Sequence, residues 1–244
     1  MSDESQLQVR PKDSDSSLSL LRVSSGLVAR GLRDAEAIER QASEPIDPLS
    51  ETRRLAEEGD ANAQERLGHA YSYGQGVPQD RDEAAKWYRK AAEQGNAEAQ
   101  LQLGGLHQYG LGVPQDYAEA VNWYRKAAEQ GHAEAQYNLG NAYYCGHGVP
   151  QDYAEAVRWF LKAVDNRDYD PETTDAMYRL GSAYYYGNGV PQDYPRAYYW
   201  LDFAAFYCGS GEKYTSARDE VAARMTPQQV AEAQRLAREW KPPT

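Results

Sequence analysis

Cysteine is scarce in this chain: Cys145 and Cys208 are the two in 244 residues. They form no Cys-x-x-Cys pair, which excludes a disulfide framework and a thiolate metal cage. Long apolar runs are missing too, since no segment approaches the roughly 18 apolar residues that span a bilayer. The acidic start, Met1-Ser2-Asp3-Glu4-Ser5, is followed by no apolar core. A secretory signal is therefore not expected, and the cytoplasm is the expected compartment. Positive charge is in deficit: 26 Lys plus Arg face 37 Asp plus Glu, a formal charge of -11. Phosphate backbones are bound by Lys and Arg that displace counterions, so a nucleic-acid partner is disfavoured. A basic or neutral protein fits this balance better. Histidine is rare as well. His69, His107, His132 and His147 show no metal-ligand spacing.

What is present is a repeat. Val-Pro-Gln-Asp begins at Val77, Val113, Val149 and Val190, the first three copies 36 residues apart and the last 41 beyond the third. The five extra residues fall between Asp165 and Asp175, in a linker, which leaves the stacking register intact. Each unit reads as two helices. The first, as in Ala97 to Tyr109, carries Ala99, Leu103, Gly104 and His107 at helical spacing, with Tyr71, Tyr143 and Tyr184 in the column of His107. A Gly-x-Gly such as Gly74-Gln75-Gly76 ends it, because glycine accepts the left-handed conformation at a helix C-terminus. Pro78 cannot continue the helix. Asp80 then caps the second helix, and Glu83 three residues on predicts a capping box, repeated at Asp116/Glu119 and Asp152/Glu155. In the fourth copy Asp193 is followed by Pro195 and Arg196, so the cap stays and the box is lost.

The second helix places Ala84, Trp87, Tyr88 and Ala91 in one stripe, matched by Ala120, Trp123, Tyr124, Ala127 and by Ala156, Trp159, Phe160, Ala163. The small residues allow close helix approach, and the tryptophans are expected to fill the gaps between repeats.

The pattern Ala-Gln-x-x-Leu-Gly-x-x-Tyr-x-x-Gly-x-Gly-Val-Pro-Gln-Asp, then Ala-x-x-Trp-Tyr-Arg-Lys-Ala-Ala-Glu-Gln-Gly, resembles the Sel-1-like repeat, a relative of the tetratricopeptide repeat. Ala63 to Gly95 and Ala99 to Gly131 follow it closely, apart from His107 at the tyrosine position. With partial units, the resemblance covers about Asp47 to Trp240. It implies an all-α fold, a right-handed superhelical α-solenoid of tandem antiparallel helix pairs.

The expected organisation is a polar, disordered tail over residues 1–24, a helix over 25–46, and a solenoid over 47–244. Within the solenoid, full repeats start near 60, 96, 132 and 173, and capping helices occupy 212–240. Leu27, Val28, Leu32, Ala35 and Ile38 supply the amphipathic stripe of the 25–46 helix. Arg54 to Gly59 echoes the end of a second helix. Tyr198 to Phe206 is apolar nearly all round and needs a cover. Glu212 to Met225 reads as one helix. Thr226-Pro227-Gln228-Gln229 starts another with a capping box, its inward stripe being Val230, Ala233, Ala237 and Trp240.

No reaction centre is expected. Gly74-x-Gly76 lacks the third glycine and the preceding strand of a dinucleotide fingerprint. His107 stands in a tyrosine column and reads as a core or near-core residue. A cysteine-rich branch of the resembled family has been linked to penicillin binding and weak β-lactamase activity, but that branch carries a cysteine pair in each repeat. This chain has neither those pairs nor Ser-x-x-Lys. The expectation is a non-enzyme with no cofactor and no metal.

Columns that change between copies mark a candidate recognition face. Around the first helix, Ala63, Leu67, Gly68 and Tyr71 share one arc, and the columns of Glu65, Arg66, His69, Ser72 and Tyr73 lie opposite. The candidate partner-binding residues are Arg66, His69, Gln102, Tyr137, Asn138, Asn141, Tyr144, Arg179, Ser182 and Tyr185. The resemblance implies that first helices line a concave surface where partners dock. Tyrosine outnumbers phenylalanine 20 to 3, which gives apolar area with a polar tip. The expected role is a protein or peptide adaptor or scaffold, with an inhibitor or immunity protein directed at an effector enzyme as the alternative and a penicillin-binding, weakly β-lactamase-like activity as the second.

Overall fold

A computed structural model of the chain describes residues 48–165, 171–207 and 212–239. The expected tail and helix before Asp47, the linker residues 166–170, Cys208 and Trp240 lie outside the described residues, as do the side chains of 237–239. Among the described residues there are eleven helices and no strand. They are α1 (Ser50–Glu57), α2 (Ala61–Tyr73), α3 (Arg81–Glu93), α4 (Ala97–Tyr109), α5 (Tyr117–Glu129), α6 (Ala133–Cys145), α7 (Tyr153–Asp165), α8 (Pro171–Tyr186), α9 (Tyr194–Tyr207), α10 (Glu212–Ala222) and α11 (Pro227–Glu239). From α1 to α10 each helix packs on the next, in a solenoid of helix pairs, α2/α3, α4/α5, α6/α7 and α8/α9.

The repeated turn is held from both sides. Gly74, Gly110 and Gly146 take the left-handed conformation at φ of 71°, 68° and 74° and close the first helices. The glutamine of Val-Pro-Gln-Asp has a role that its spacing did not show. Gln79 Nε2 donates to the Ser72 carbonyl at 2.8 Å, and Gln115, Gln151 and Gln192 do the same to Gln108, Tyr144 and Tyr185. An orphan carbonyl in the last turn is thereby satisfied.

The aspartate caps form as expected, with Asp80 Oδ1 accepting from the Glu83 amide at 3.0 Å and Asp116 accepting from Ala118 and Glu119. The capping box does not. Its return arm would use the amide of Asp80, but that amide donates to the Tyr71 carbonyl at 2.9 Å. The amides of Asp116, Asp152 and Asp193 are spent alike on His107, Tyr143 and Tyr184. The freed carboxylates turn elsewhere: Glu83 to Lys86, Glu119 to the Trp123 indole, Glu155 to Arg158. At Thr226, with no such helix to close on, the box is complete. The Thr226 amide donates to Gln229 Oε1 at 2.8 Å, and the Gln229 amide donates to Thr226 Oγ1 at 3.3 Å.

Within a pair, the helical glycine of the first helix receives an aromatic face of the second: Gly68 meets Tyr88, Gly104 meets Tyr124, Gly140 meets Phe160. Between pairs, tryptophan fills the gap. Trp123 is buried with Ala84, Tyr88 and Ala91 of the preceding pair and with Ala99 and Leu103 of its own. Lys90, Lys126 and Lys162 each lie 3.8 Å over the ring of the tryptophan three residues earlier. The buried glutamines add a polar thread. Gln100 Nε2 donates to the Ala92 carbonyl at 3.0 Å while its Oε1 accepts from Gln130 at 2.8 Å, a pattern that Gln64 shares with Ala56 and Gln94. Buried amides that are bonded in this way cost little and set the register between repeats.

α1 packs on α2 as the second helix of a pair does on the next, its Ala56 buried with Ala63, Leu67 and Trp87. At the other end α10 and α11 pack on α9, with Val221 and Ala233 buried. The α10 helix is shorter than expected and passes into a turn after Ala222. Asp175 ties the fourth pair to this cap through Lys213 Nζ at 2.6 Å and the Tyr214 hydroxyl at 2.9 Å. Burial pushes the Asp175 carboxyl up, but these two partners outweigh it and hold it below its usual range. Phe206 stays exposed among the described residues.

A groove across the first helices

The first helices α2, α4, α6 and α8 stand in succession, and their variable columns border two adjoining cavities. The larger, about 430 Å³, runs from Ser72 and Tyr73 of α2 past Gln102 and Gly105 of α4 to Tyr137 and Asn138 of α6. The second, about 310 Å³, continues from Gln108 of α4 past Asn141 and Cys145 of α6 to Arg179 of α8. Tyr109, Tyr124, Tyr137 and Asn138 border both, so the two form one groove. Its floor includes the buried side chains of Leu101, Leu106, Val121 and Tyr124.

Of the ten residues expected from the columns, Gln102, Tyr137, Asn138, Asn141 and Arg179 line the groove. Tyr144 is half-buried beside it, its ring under the Arg179 guanidinium at 5.1 Å and edge-on to Tyr153. Ser182 is half-buried. Arg66 is exposed, and His69 leans on the Tyr73 ring at 4.5 Å, so both stand at the α2 end without lining either cavity. Tyr185 is buried. Its hydroxyl donates to Glu220 Oε1 of α10 at 2.8 Å, its ring packs near Tyr194, and Arg224 lies over it at 5.3 Å. The cap has taken that position because the fourth pair is the last, and its outer flank is covered by the C-terminal helices.

The ten residues left out Tyr109, although it stands in the Tyr73 column, and Tyr117, Glu134, Glu172 and His147, which also line the groove. One signal could have found Tyr109. Tyr73, Tyr109 and Tyr186 close their first helices at one column and remain 61–66% exposed. A large ring kept at an exposed position is not explained by the core.

The electrostatics along the face vary. Glu65 is pushed up by burial and by the neighbouring Glu98 carboxylate, whereas Glu98 is held below its usual range by His132, whose Nε2 is 3.2 Å away. His107 is buried as expected, with Arg89 Nη2 3.2 Å from its Nε2. In the next repeat Arg125 donates to the Tyr143 hydroxyl at 3.1 Å, so His107 takes the acceptor role of a column tyrosine. Among the described residues no group of three His, Cys, Asp or Glu could hold a metal, and no helix is long and apolar enough to cross a membrane.

The family model of the Sel1 repeat matches residues 61–96, 97–132, 133–168 and 174–205. The chain belongs to the Sel1 repeat family. Its solenoid is similar to the crystal structure of a protective antigen present in uropathogenic Escherichia coli strains and displaying an SLR fold. That protein is 38% identical over 81% of this chain, with a TM-score of 0.70. The chain spans 41% of that antigen's length. A Sel1 repeat protein from Oxalobacter formigenes is 32% identical over 79% of this chain and 76% of its own, with a TM-score of 0.62. No curated protein matches the chain. Sel1 repeat proteins are in general scaffolds for protein–protein interaction, and the fold is typically non-enzymatic.

Proposed function

We propose that this Sel1 repeat chain is an adaptor that holds a protein partner in the groove of its first helices. One observation carries the reading: variable columns from successive repeats converge on a continuous depression, while the repeated residues are spent on packing. Scaffold positions such as Gly104 and Trp123 are filled by each other. Gln102, Asn138, Asn141 and Arg179 have no such duty and face the groove. Large rings and arginine at its border are the residue types that anchor interfaces. The surplus of negative charge lies outside the groove, whose charged border of Arg81, Arg179, Glu134 and Glu172 is balanced. It would steer a basic partner towards the solenoid without selecting what enters the depression.

The test is crosslinking and capture from the native cell, with wild type beside a variant carrying Gln102→Ala, Asn138→Ala and Arg179→Ala. The variant should keep its melting temperature and lose its partners. Retention of every partner at an unchanged melting temperature would remove the groove from consideration. Several unrelated captured proteins fit an adaptor. A single enzyme silenced at one-to-one stoichiometry would make the chain an inhibitor instead.

A further inference from the structure

We infer that the outer face of α9 is a second interaction surface, separate from the groove, which takes an amphipathic helix of a partner protein in place of α11. The repeat columns point there. On the earlier second helices this side is polar: Lys86, Lys90 and Glu93 of α3 are exposed, and Asn122, Lys126 and Glu129 of α5 match them. α9 puts Tyr199, Phe203 and Phe206 in the same three columns. The rings continue one another. Centroids lie 4.9 Å apart from Tyr199 to Phe203, 6.2 Å from Phe203 to Tyr207 and 5.1 Å from Tyr207 to Phe206. Tyr199 is buried, while Phe206 is 78% exposed. The inward stripe of α9 does not need them, since Ala197, Trp200, Leu201 and Ala204 already fill it. A polar face rebuilt as a run of rings marks a contact surface.

That surface already receives a helix. A regular second helix lies on its own first helix, which here would be α10, but α11 makes its main contact with α9. Leu236 packs against the core cluster to which Tyr199, Trp200 and Ala204 belong, as Phe203 does. The hold is slight. Of the described α11 side chains Ala233 alone is buried, with Val230 and Leu236 half-buried. α10 is anchored more firmly: Val221 is buried, Glu220 accepts from Tyr185, and Lys213 and Tyr214 donate to Asp175. Elements with few buried apolar contacts are the first to open.

The same contact fixes the kind of partner. α11 presents Val230, Ala233 and Leu236, modest side chains at three-residue spacing. It leaves Phe206 exposed beside a cavity of about 240 Å³ that Asp202, Phe203, Phe206 and Tyr207 border. A helix with bulkier apolar residues in that stripe would bury more area and cover Phe206 as well. Recognition of a helix by an apolar face rests on such regularly spaced anchors. The partner is therefore an amphipathic helix, and α11 is the strap that it displaces.

The probe is a fluorescein-labelled synthetic peptide with the sequence of α11, in which Val230→Leu and Ala233→Leu enlarge the stripe. Its binding to the full chain is followed by fluorescence anisotropy. Ala233→Asp in the chain, which drives a charge into the buried contact of the strap, should tighten peptide binding about tenfold by vacating the face. Phe206→Ala should weaken binding about tenfold, at an unchanged melting temperature because the ring is exposed. A scrambled peptide without the stripe should not bind. The variant with Gln102→Ala, Asn138→Ala and Arg179→Ala should bind the peptide as wild type does, so the groove reading and this one can fail separately. If Ala233→Asp unfolds the chain, Phe206→Ala in the wild-type chain decides alone. No binding to either chain, indifference to Phe206→Ala, or equal binding of the scrambled peptide overturns the inference. So does a lower melting temperature in Phe206→Ala, because the chain's own residues would then cover the ring. A wild-type mass that is doubled, and halved by Phe206→Ala, overturns it in favour of a second copy.

Discussion

Gly104 lies flat against the ring of Tyr124: a Cβ placed on the glycine would stand 2.6 Å from Cε1 of the tyrosine. The ring cannot easily retreat, because it is buried and its hydroxyl is tied to Gln108 Oε1 at 2.7 Å. The two helices of a pair therefore approach at a distance set by hydrogen in place of methyl. Gly104→Ala gains helix propensity but overpacks this contact, which typically costs about 1–3 kcal/mol. The expected result is a net loss in urea unfolding, opposite in sign to Gly105→Ala one residue along, where a Cβ would meet only the Tyr124 hydroxyl, at 3.9 Å.

Gly112 separates two effects that glycine combines. Its φ is +70°, and a Cβ would run into the backbone carbonyl of Arg81 in the preceding pair. Gly95 also has a positive φ, +93°, but open space around the missing Cβ. Gly95→Ala should cost only the conformational penalty of about 1–2 kcal/mol. Gly112→Ala should cost clearly more, because it also pushes neighbouring repeats apart. Equal midpoints in denaturant would show that the inter-repeat contact is soft.

The aspartate cap and its glutamate are separable in the same way. Asp80→Ala removes the acceptor for the Glu83 amide and should destabilise by about 1 kcal/mol. Glu83→Ala removes only a surface pair with Lys86 and should leave the midpoint in place. A comparable loss from both would mean that the box closes in solution after all.

Alkaline pH should loosen the pairs. Tyr88 and Tyr124 are pushed well above the ordinary phenol range by burial, and nearby carboxylates such as Glu65 for Tyr88 and Glu134 for Tyr124 add to it. In the unfolded chain both ionise near about pH 10. Above that the folded state holds more protons than the unfolded one, so stability is full below it and falls as pH rises towards the folded values. Phenolate absorbance in an alkaline titration should show a late class of tyrosines that ionises together with loss of helicity. If all tyrosines titrate early with helicity intact, the burial argument is wrong.

Much of the fold was legible in the sequence because it is written locally. Helices α4 and α5 follow from the spacing of Leu103 and Trp123, from Gly110 and from Asp116, all within reach of one or two turns. Repetition then multiplies the signal. The capping box was misread because it is not local here: the amide of Asp80 is claimed by Tyr71, nine residues back across a closed turn. Gln79 was passed over for the same reason, since its partner at Ser72 is visible only once the turn is folded.

The candidate groove was half legible. Column differences selected Gln102, Asn138, Asn141 and Arg179, because a face free of packing duties is free to vary. They could not say which of these meet, and they kept Tyr185, whose column is open in earlier repeats and covered by α10 in the last.

By itself, then, the amino-acid order determined the helix pair, its caps, its buried stripe and the repetition of all three, since each rests on contacts within about a turn or two. Only the tertiary structure decided where the groove runs and which tyrosines the cap consumes. Those outcomes depend on the offset between successive pairs and on what covers the last one, and such contacts join residues far apart in the chain.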